Sequence, residues 1–194
     1  APTRLPASQR SKRHPRRRRR YEPPMPGHRI QVDVKFISPI GERRRKYYRY
    51  TAIDDCTRLR VLRIYDRNNQ KTAIQFLDYV LSKLPYQAGC VQTDNGAEWQ
   101  GSFHWHILDR GIQHVYIRPR TPRLNGRVER SHRIDNDEFY KLLDGVVIDD
   151  TGLFSEKLQE WEDFYDFHRP HGGHGGQTPY ERLLQRTKQP TPTA

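Results

Sequence analysis

The sequence is poor in cysteine, and the two cysteines it has are far apart. Cys56 and Cys90 are the only ones among 194 residues, and neither belongs to a closely spaced pair of the kind that binds zinc. The sequence therefore indicates neither a disulfide framework nor a structural zinc site. A chain of this kind fits a reducing compartment.

Long apolar runs are also missing. No stretch of about 18 consecutive apolar residues occurs, which is the length a helix needs to cross a bilayer, and there is no apolar signal segment. Hydrophobic residues make up only 34% of the chain, but 11 Tyr, 7 Phe and 3 Trp speak against wholesale disorder. We therefore expect a soluble protein without membrane association, built as one domain plus some tail.

Acidic residues are scarce at the amino-terminal end. Residues 1–29 hold ten Lys or Arg and a single acid, Glu22, so they carry +9 of the net charge of +12. Five prolines among the first 24 residues exclude a helix, so we predict a basic Arg/Pro-rich arm or linker over residues 1–27. It is either a solvated tail or an arm that follows a nucleic-acid backbone by neutralising phosphates.

Residues 28–185 are predicted to form the core, and residues 186–194 a C-terminal tail. Alternating apolar and polar side chains predict strands, and apolar residues at helical spacing predict helices. The predicted strands are Ile30–Ile37, Lys46–Asp54, Leu59–Tyr65, Gly89–Thr93 and Gln113–Ile117. The predicted helices run from Thr72 to near Pro85, over Phe103–Asp109, from about Leu124 to Leu143, from about Phe154 to Phe167, and from Thr178 onward.

This order of elements predicts an α/β fold. Three hairpin-connected strands followed by alternating helices and strands indicate one five-stranded mixed sheet, with three antiparallel strands and then two parallel ones, flanked by helices. We expect the first and fourth strands to be neighbours. Ligand sites in such sheets favour the place where the strand order reverses, and Asp33 and Asp94 would both lie there.

Three acids stand in settings that ask for an explanation. Asp33 interrupts the first strand, where Asp is disfavoured; Asp94 follows the fourth strand and precedes an Asn-Gly turn; Glu129 lies in an Arg-rich helical segment. Each has a structural alternative. Asp33 could face solvent, Asp94 could be only a turn former, and Glu129 could pair with Arg133 one helical turn later.

Four segments, taken in order, resemble the catalytic core of the Asp-Asp-Glu (DDE) transposases and integrases, as found in bacterial insertion sequences and retroviral-type integrases. They are Val32–Lys35, Thr93–Trp99, Pro122–Arg130 and His168–Leu183. Asp94 and Glu129 have 34 residues between them, close to the mid-thirties spacing of the family. The resemblance covers about residues 28–185 and implies a ribonuclease-H-like fold with Asp33, Asp94 and Glu129 as catalytic metal ligands.

The resemblance also implies the reaction. Water would attack at the end of an element and free a 3′-hydroxyl, which would then attack target DNA without a covalent protein–DNA intermediate. Two Mg²⁺ or Mn²⁺ ions per active site, about 3.5–4 Å apart when DNA is bound, would activate the attacking oxygen and stabilise the leaving one. Carboxylates are the hard oxygen ligands that Mg²⁺ prefers.

The implied partners are DNA, as element ends and target, and further copies of the chain in a dimer or a larger assembly. The implied location is the bacterial cytoplasm, associated with the nucleoid. Basic residues near Glu129 and in the arm are expected to contact DNA, although a solvated basic face is the alternative and base-specific readout cannot be assigned. The residues predicted to bind DNA are Arg16, Arg17, Arg18, Arg19, Arg20, Arg118, Arg120, Arg127, Arg130 and Arg133.

The other acids are expected to be structural. Asp54 and Asp55 should form a turn before the third strand, and Glu98 should cap or orient the loop beyond Asp94. Glu138 lies nine positions after Glu129, too far along the helix to share one metal site.

Three of the nine histidines, His168, His171 and His174, lie near a Gly-rich segment that we expect to be flexible. Zinc ligation there is an open alternative to a role in shape and hydrogen bonding.

Two other functions compete with strand transfer. A hydrolytic nuclease of the same fold would use water as its only nucleophile. An inactive DNA-binding or assembly protein would keep the fold without the chemistry.

Deleting residues 1–20 tests the role of the basic arm. If the arm follows the DNA backbone, the deletion will weaken DNA binding at low salt and flatten its salt dependence. Each lost phosphate contact should remove about 0.9 from the slope of log K against log salt concentration. The measurement is fluorescence anisotropy of a labelled duplex over a KCl series, and an unchanged slope would show a passive tether.

Overall fold

Five strands form one mixed sheet in the order β3-β2-β1-β4-β5. The structure, a computed structural model, describes residues 23–37, 46–117, 126–140 and 151–188. The strands are β1 (Ile30–Ile37), β2 (Tyr47–Asp54), β3 (Arg60–Tyr65), β4 (Cys90–Thr93) and β5 (Gln113–Tyr116). β1, β2 and β3 pair antiparallel, while β4 is parallel to β1 and β5 is parallel to β4. The predicted sheet and the neighbouring first and fourth strands are confirmed.

Helices cover both faces of the sheet. They are α1 (Gln70–Lys83), α2 (Ser102–Asp109), α3 (Gly126–Ile134), α4 (Thr151–Asp163) and α5 (Pro179–Lys188). Short 3₁₀ turns lie at Ala97–Trp99 and Gly172–His174. All five predicted helices are present, and α5 extends three residues into the segment predicted as a tail.

Two helices end in a wider turn that the sequence pattern did not predict. α3 continues into a π-helical turn at Asp135–Phe139, and α4 continues into another at Phe164–His168. The single predicted helices over these regions are therefore wrong in detail, because periodicity of apolar residues does not distinguish an inserted π turn from an α-helix.

The alternation of β1 directs its side chains to two different layers. Ile30 and Val32 pack into a core beneath α1 and α2, together with Phe76 and Trp99. On the other face, Ile37 joins a second core beneath α3 and α4. Since successive side chains of a strand point to opposite faces, Asp33 lies on the α3 side of the sheet.

A buried ionic cluster attaches α3 to that side of the sheet. Asp135, at the start of the first π turn, lies 2.6 Å from Nη1 of Arg60 and 3.0 Å from Nη1 of Arg49, and all three side chains are fully buried. Trp161 of α4 donates to the same carboxylate at 2.7 Å. Although burial opposes its ionisation, the Arg60 and Arg49 guanidiniums hold the pKa of Asp135 below its usual range. Through the Asp135 carboxylate, the cluster connects the end of α3 with β2, β3 and α4.

The turn between β2 and β3 depends on two buried acids. The Asp54 carboxylate accepts hydrogen bonds from the backbone N–H groups of Cys56 and Thr57 at 3.1 and 2.7 Å. Asp55 accepts from Gln31 at 2.7 Å and from Arg29 at 2.5 Å. Both acids are buried, which confirms their predicted structural role.

The folded core begins earlier than the predicted boundary at residue 28. The N–H of Gly27 donates to Asp54 at 3.0 Å, and its carbonyl accepts from Gly89 at 2.8 Å. Gly27 has φ of 77°, and a Cβ there would lie 2.1 Å from the carbonyl oxygen of Gln87. Only glycine fits this position, so Gly27 belongs to the core and not to the arm.

The last helix begins with the predicted capping box. The backbone N–H of Thr178 donates to the Glu181 carboxylate at 2.8 Å, and the N–H of Glu181 donates to the Thr178 hydroxyl at 3.1 Å. Among the residues that the structure describes, no helix has the length and apolar character needed to cross a lipid bilayer.

Neutralising Asp135 tests the buried cluster. Asp135→Asn leaves Arg49 and Arg60 buried beside a neutral amide, so we expect the free energy of unfolding to fall by roughly 3–5 kcal/mol, measured by urea denaturation. Glu160→Gln is the control, because it removes one charge from the exposed pair with Lys157 and should change stability by less than about 1 kcal/mol. A similarly small loss for Asp135→Asn would contradict the anchoring role.

Glu162 gives a pH-dependent prediction. Its side chain is buried in α4, where it accepts from the backbone N–H of Leu62 and from Gln159, and burial raises the pKa of Glu162 from its usual 4.5 to about 7. The protonated form is therefore favoured by folding, and its contribution to stability is lost as the pH rises from about 4.5 through about 7.

We expect Glu162→Gln to gain stability relative to the native chain over that pH window, by up to about 1.4 kcal/mol per pH unit. Urea unfolding of both proteins at several pH values measures the difference. A difference that stays constant across the window would contradict the titration of this group.

Candidate active site

Asp33 and Asp94 occupy matching positions on neighbouring parallel strands. Gln31 of β1 is in register with Gln92 of β4, and each acid lies two residues further along its chain. Asp33 lies within β1, opposite Thr51 of β2, while Asp94 follows the last residue of β4 and is exposed. The two acids thus lie on the neighbouring strands β1 and β4, between which the strand order reverses.

The loop that carries Asp94 is held by hydrogen bonds on both sides. Gly96 donates its N–H to the Asp94 carboxylate at 3.0 Å. The Asn95 side chain donates to the carbonyl of Ile117 at 2.8 Å, and its own carbonyl accepts from Gln100 at 3.0 Å. These bonds fix the direction of the chain as it leaves the sheet.

Glu98 covers the same loop. A Cβ on Gly96 would lie 2.7–2.8 Å from the carboxyl atoms of Glu98. The Glu98 side chain therefore lies beside the loop that carries Asp94, and its predicted role in capping or orienting that loop stays a prediction.

Helix α3 runs along β1 and carries Glu129 past Asp33. The N–H of Val128 donates to the Gln31 side chain at 3.3 Å, and eight residues later Asn136 accepts from Lys35 at 2.9 Å. Eight helical residues span about 12 Å, and the four strand residues from Gln31 to Lys35 span about 13 Å. Helix and strand therefore advance together, with Asp33 near the middle of the contact.

Asp33 is influenced by the charges of the other two acids. Its pKa is raised to about 7, mainly by burial and in addition by the negative charges of Asp94 and Glu129. Both of those neighbours are exposed. The structure thus places Asp94 and Glu129 each within electrostatic range of Asp33.

The three carboxylates suit a divalent metal by their chemistry. They offer hard oxygen donors and an excess of negative charge, both of which favour Mg²⁺ or Mn²⁺. Within residues 23–37, 46–117, 126–140 and 151–188, no group of three or more His, Cys, Asp or Glu side chains is placed closely enough to hold a metal ion as it stands. Asp33 is the best held of the three acids, while exposure leaves the side chains of Asp94 and Glu129 room to turn toward an ion.

His132 belongs to this site, although no sequence argument identified it. Its Nδ1 lies 3.5 Å from the Asp33 carboxylate, and its Nε2 lies 3.3 Å from the hydroxyl of Thr51. Burial, aided by the nearby Arg49, lowers the pKa of His132 to about 3, so the ring is neutral at pH 7. Its position three residues after Glu129, on a neighbouring part of the helix surface, is the signal that could have identified it.

The predicted DNA-contacting arginines have different surroundings. Arg130 and Arg133 are exposed on α3. Arg127 is only 19% exposed, and its guanidinium lies 3.2 Å from the buried carboxylate of Asp55. Its guanidinium is therefore partly engaged in an ion pair within the protein. The remaining predicted residues, Arg16, Arg17, Arg18, Arg19, Arg20, Arg118 and Arg120, lie outside the described part of the chain.

Glu138 and two of the three grouped histidines have structural contacts, as expected. Glu138 pairs with Arg169 at 2.6 Å. His174 contacts the Thr57 carbonyl at 3.0 Å, and the ring of His171 packs edge-on against Tyr165. Both histidines are buried, His171 directly before the 3₁₀ turn and His174 as its last residue, so two side chains of the Gly-rich segment pack against the core.

Comparison with known proteins identifies the family. Two family models described as "Integrase core domain" match the chain, one over residues 23–122 and the other over residues 110–179. A protein of Spiroplasma virus SpV1-C74, named as an integrase (ORF3), is 28% identical over 175 residues. That match covers 79% of this chain and 47% of the viral protein, so the chain spans about half the length of this relative.

Solved structures share the fold. The simian T-cell lymphotropic virus intasome in complex with PP2A regulatory subunit B56 gamma matches with a TM-score of 0.76 and 19% identity, over 90% of this chain and 60% of that one. The integrase catalytic core of HTLV-2 in complex with magnesium, in its trimeric form, matches with a TM-score of 0.67 and 17% identity, over 82% and 97% of the two chains. A five-stranded mixed sheet with these matches is a ribonuclease-H-like fold. The chain belongs to the integrase core domain family.

Proposed function

We propose that the chain is the catalytic core of a DDE integrase or transposase, a polynucleotidyl transferase that cleaves the 3′ ends of element DNA and joins the 3′-hydroxyl to target DNA. The observation that supports the proposal is that Asp33 and Asp94 lie at matching positions of the neighbouring strands β1 and β4, with Glu129 close enough to act on the charge of Asp33. Membership of the integrase core family supports the same class of reaction.

The three carboxylates are proposed to hold two Mg²⁺ or Mn²⁺ ions when DNA is bound. Such ions activate an attacking oxygen and relieve charge on the leaving oxygen of an in-line displacement. Bound cations would also favour the ionised form of Asp33, whose pKa is raised by burial and by its negative neighbours. The structure of the HTLV-2 core in complex with magnesium supports this choice of metal.

The protein's own contribution is positioning. Asp33 is fixed by the strand pair with β2 and by the contact with His132. Asp94 is aimed by the N–H of Gly96. Glu129 is carried by a helix that is attached to the sheet at Gln31 and through Asp135. Rigid placement of charged ligands is the main requirement of phosphoryl transfer, which needs little covalent chemistry from the protein.

DNA would approach across the exposed side of α3. Arg130 and Arg133 are exposed next to Glu129 and are proposed to contact phosphates. The arginines of the arm at residues 16–20, together with Arg118 and Arg120, complete the proposed DNA surface. Arg127 is proposed to contribute through its field, because its guanidinium also contacts Asp55.

Paired cleavage and joining at two DNA ends require at least two copies of the chain. The HTLV-2 core, which was solved in trimeric and dimeric forms, and the simian virus intasome are assemblies of this kind of fold. We therefore propose that the chain works as a dimer or a larger assembly on DNA, with the cytoplasm and nucleoid of a bacterium as its location. The arm would lead into a core that includes Gly27 and continues to the end of α5 at Lys188.

The test uses a duplex with pre-cleaved 3′ ends, a target plasmid and Mg²⁺ or Mn²⁺. The native chain should give joined products, and Asp94→Asn should lower their yield by at least about a hundredfold, because metal ligation at phosphate contributes several kcal/mol and about 1.36 kcal/mol corresponds to a tenfold change in rate. DNA binding without metal should be unchanged. Asp109→Asn, an exposed acid at the end of α2, is the matched control and should behave as the native chain.

The outcomes separate the competing functions. Cleavage without joined products would indicate a hydrolytic nuclease. Products that are unchanged in Asp94→Asn would remove the three acids from the mechanism. A native chain that binds DNA but gives no product with either metal would indicate an inactive DNA-binding or assembly protein.

A further inference from the structure

A pocket lies beside α3, on the flank of the helix away from Glu129. It has a volume of about 370 Å³ and is enclosed by the turn after β2, by α3 and by the 3₁₀ turn that follows His171. Its polar lining includes Arg58, Arg127, Arg130, Ser131, His171 and His174. This volume falls in the range of small-ligand sites in proteins.

The geometry of α3 separates this pocket from the three acids. With 3.6 residues per turn, Arg127, Arg130 and Ile134 lie about 100–160° around the helix axis from Glu129. The side chains that face the sheet, Val128 and His132, lie about 260–300° from Glu129 in the same sense. The pocket and Glu129 are therefore on opposite flanks of the helix, with the buried stripe between them.

The lining of the pocket is strongly basic. Three arginines and two histidines line it, and no acid of the described residues does. Arg127 lies beside Asp55, whereas Arg58 donates to the backbone carbonyl of Asp55 at 3.1 Å. Burial is the main cause that lowers the pKa of Arg58 to about 10, and the charge of Arg127 acts in the same direction.

Arg58 and His171 are the two residues of the pocket with unusual local geometry. Arg58 has φ of 68°, the one positive φ of a non-glycine residue in the described part of the chain, and its N–H donates to the carbonyl of Asp54 at 3.0 Å to close the turn after β2. The Nε2 of His171 is buried without a hydrogen-bond partner among the described residues, in a residue that is only 9% exposed. A neutral imidazole can carry its proton on Nε2 and donate it to an anion.

The pocket does not suit a stacked base. Its aromatic residue, Tyr165, is buried, and its ring is covered by the Arg60 guanidinium at 3.4 Å and by the edge of His171 at 4.5 Å between ring centroids. Without a free aromatic face, base stacking has no platform. The chemistry that remains is recognition of a tetrahedral anion by guanidinium and imidazole N–H groups.

We propose that this pocket binds a backbone phosphate of DNA outside the reacting site, with Arg58 and Arg130 as its principal contacts and His171 as an additional donor. DNA is favoured over a free anion because Arg130 is exposed at the rim and precedes Arg133 on the helix that carries Glu129. The inference rests on the proposed function, since it assigns a second anchor to the same DNA. A duplex held there would be fixed on both flanks of α3.

The test compares the DNA binding of Arg58→Gln and Arg130→Gln with that of the native chain. Binding of a labelled duplex is measured by fluorescence anisotropy in EDTA over a KCl series. Each variant should reduce the slope of log K against log salt concentration by about 0.9, the value for one phosphate contact. Arg110→Gln is the matched control. It removes the same charge from an exposed pair between Arg110, the residue that follows α2, and Asp78 of α1, on the opposite face of the sheet, and its slope should be that of the native chain.

A second measurement does not depend on substitutions. The ¹⁵N signals of the His171 ring are followed while inorganic phosphate or the same duplex is added. Shifts with both support a DNA-phosphate pocket. A shift with phosphate alone would show a site for small anions and overturn the DNA assignment.

Slopes that remain native in both arginine variants would also overturn the assignment. Joined products from the native chain would then leave the proposed function standing without this pocket. Conversely, reduced slopes together with an absence of joined products would leave the pocket standing and remove the proposed function.

Discussion

The position of α3 over the sheet depends on the buried carboxylate of Asp135. Two guanidiniums from neighbouring strands, Arg49 and Arg60, converge on it, and Trp161 of α4 donates to the same group. An ion cluster of this kind adds little net stability compared with an apolar core, but losing one partner leaves charge buried and uncompensated. It therefore favours one placement of the helix over others. Because Glu129 lies six residues before Asp135, fixing the end of the helix also fixes the distance between Glu129 and Asp33.

The elements that local patterns describe could be predicted from the sequence. β1 alternates apolar and polar residues, so its two faces, and the position of Asp33 on the face opposite Val32, follow from the period of a strand. Asp94 precedes an Asn-Gly turn at the end of a short apolar strand, and the capping box at Thr178 is a local signal too. These features need no knowledge of distant contacts. The resemblance to DDE recombinases then placed Glu129 with the two aspartates.

Features that depend on distant partners could not be predicted in the same way. Asp135 looks like one acid among several on a polar helix, and its importance appears only when Arg49 and Arg60 are brought beside it. The π turns could not be predicted either, because the spacing of apolar residues in the sequence does not distinguish a single π turn from an α-helix. Arg127 shows the same limitation. Its neighbours in sequence indicate a DNA contact, while the fold places it against Asp55.

The arrangement of charge around α3 explains why both signs are needed on one helix. At about 4 Å and an effective dielectric constant of 20, each carboxylate would repel a phosphate by about 4 kcal/mol, so the three acids alone would drive DNA away. Divalent ions reverse that field where the reaction is proposed to occur. Away from the ions, attraction must come from fixed cations, and we propose that Arg130, Arg133 and the lining of the pocket would supply it on the exposed flanks. A helix that holds Glu129 rigidly and carries arginines beside it provides both the metal ligand and the fixed positive charge. The buried stripe of α3 that orients Glu129 also orients these arginines.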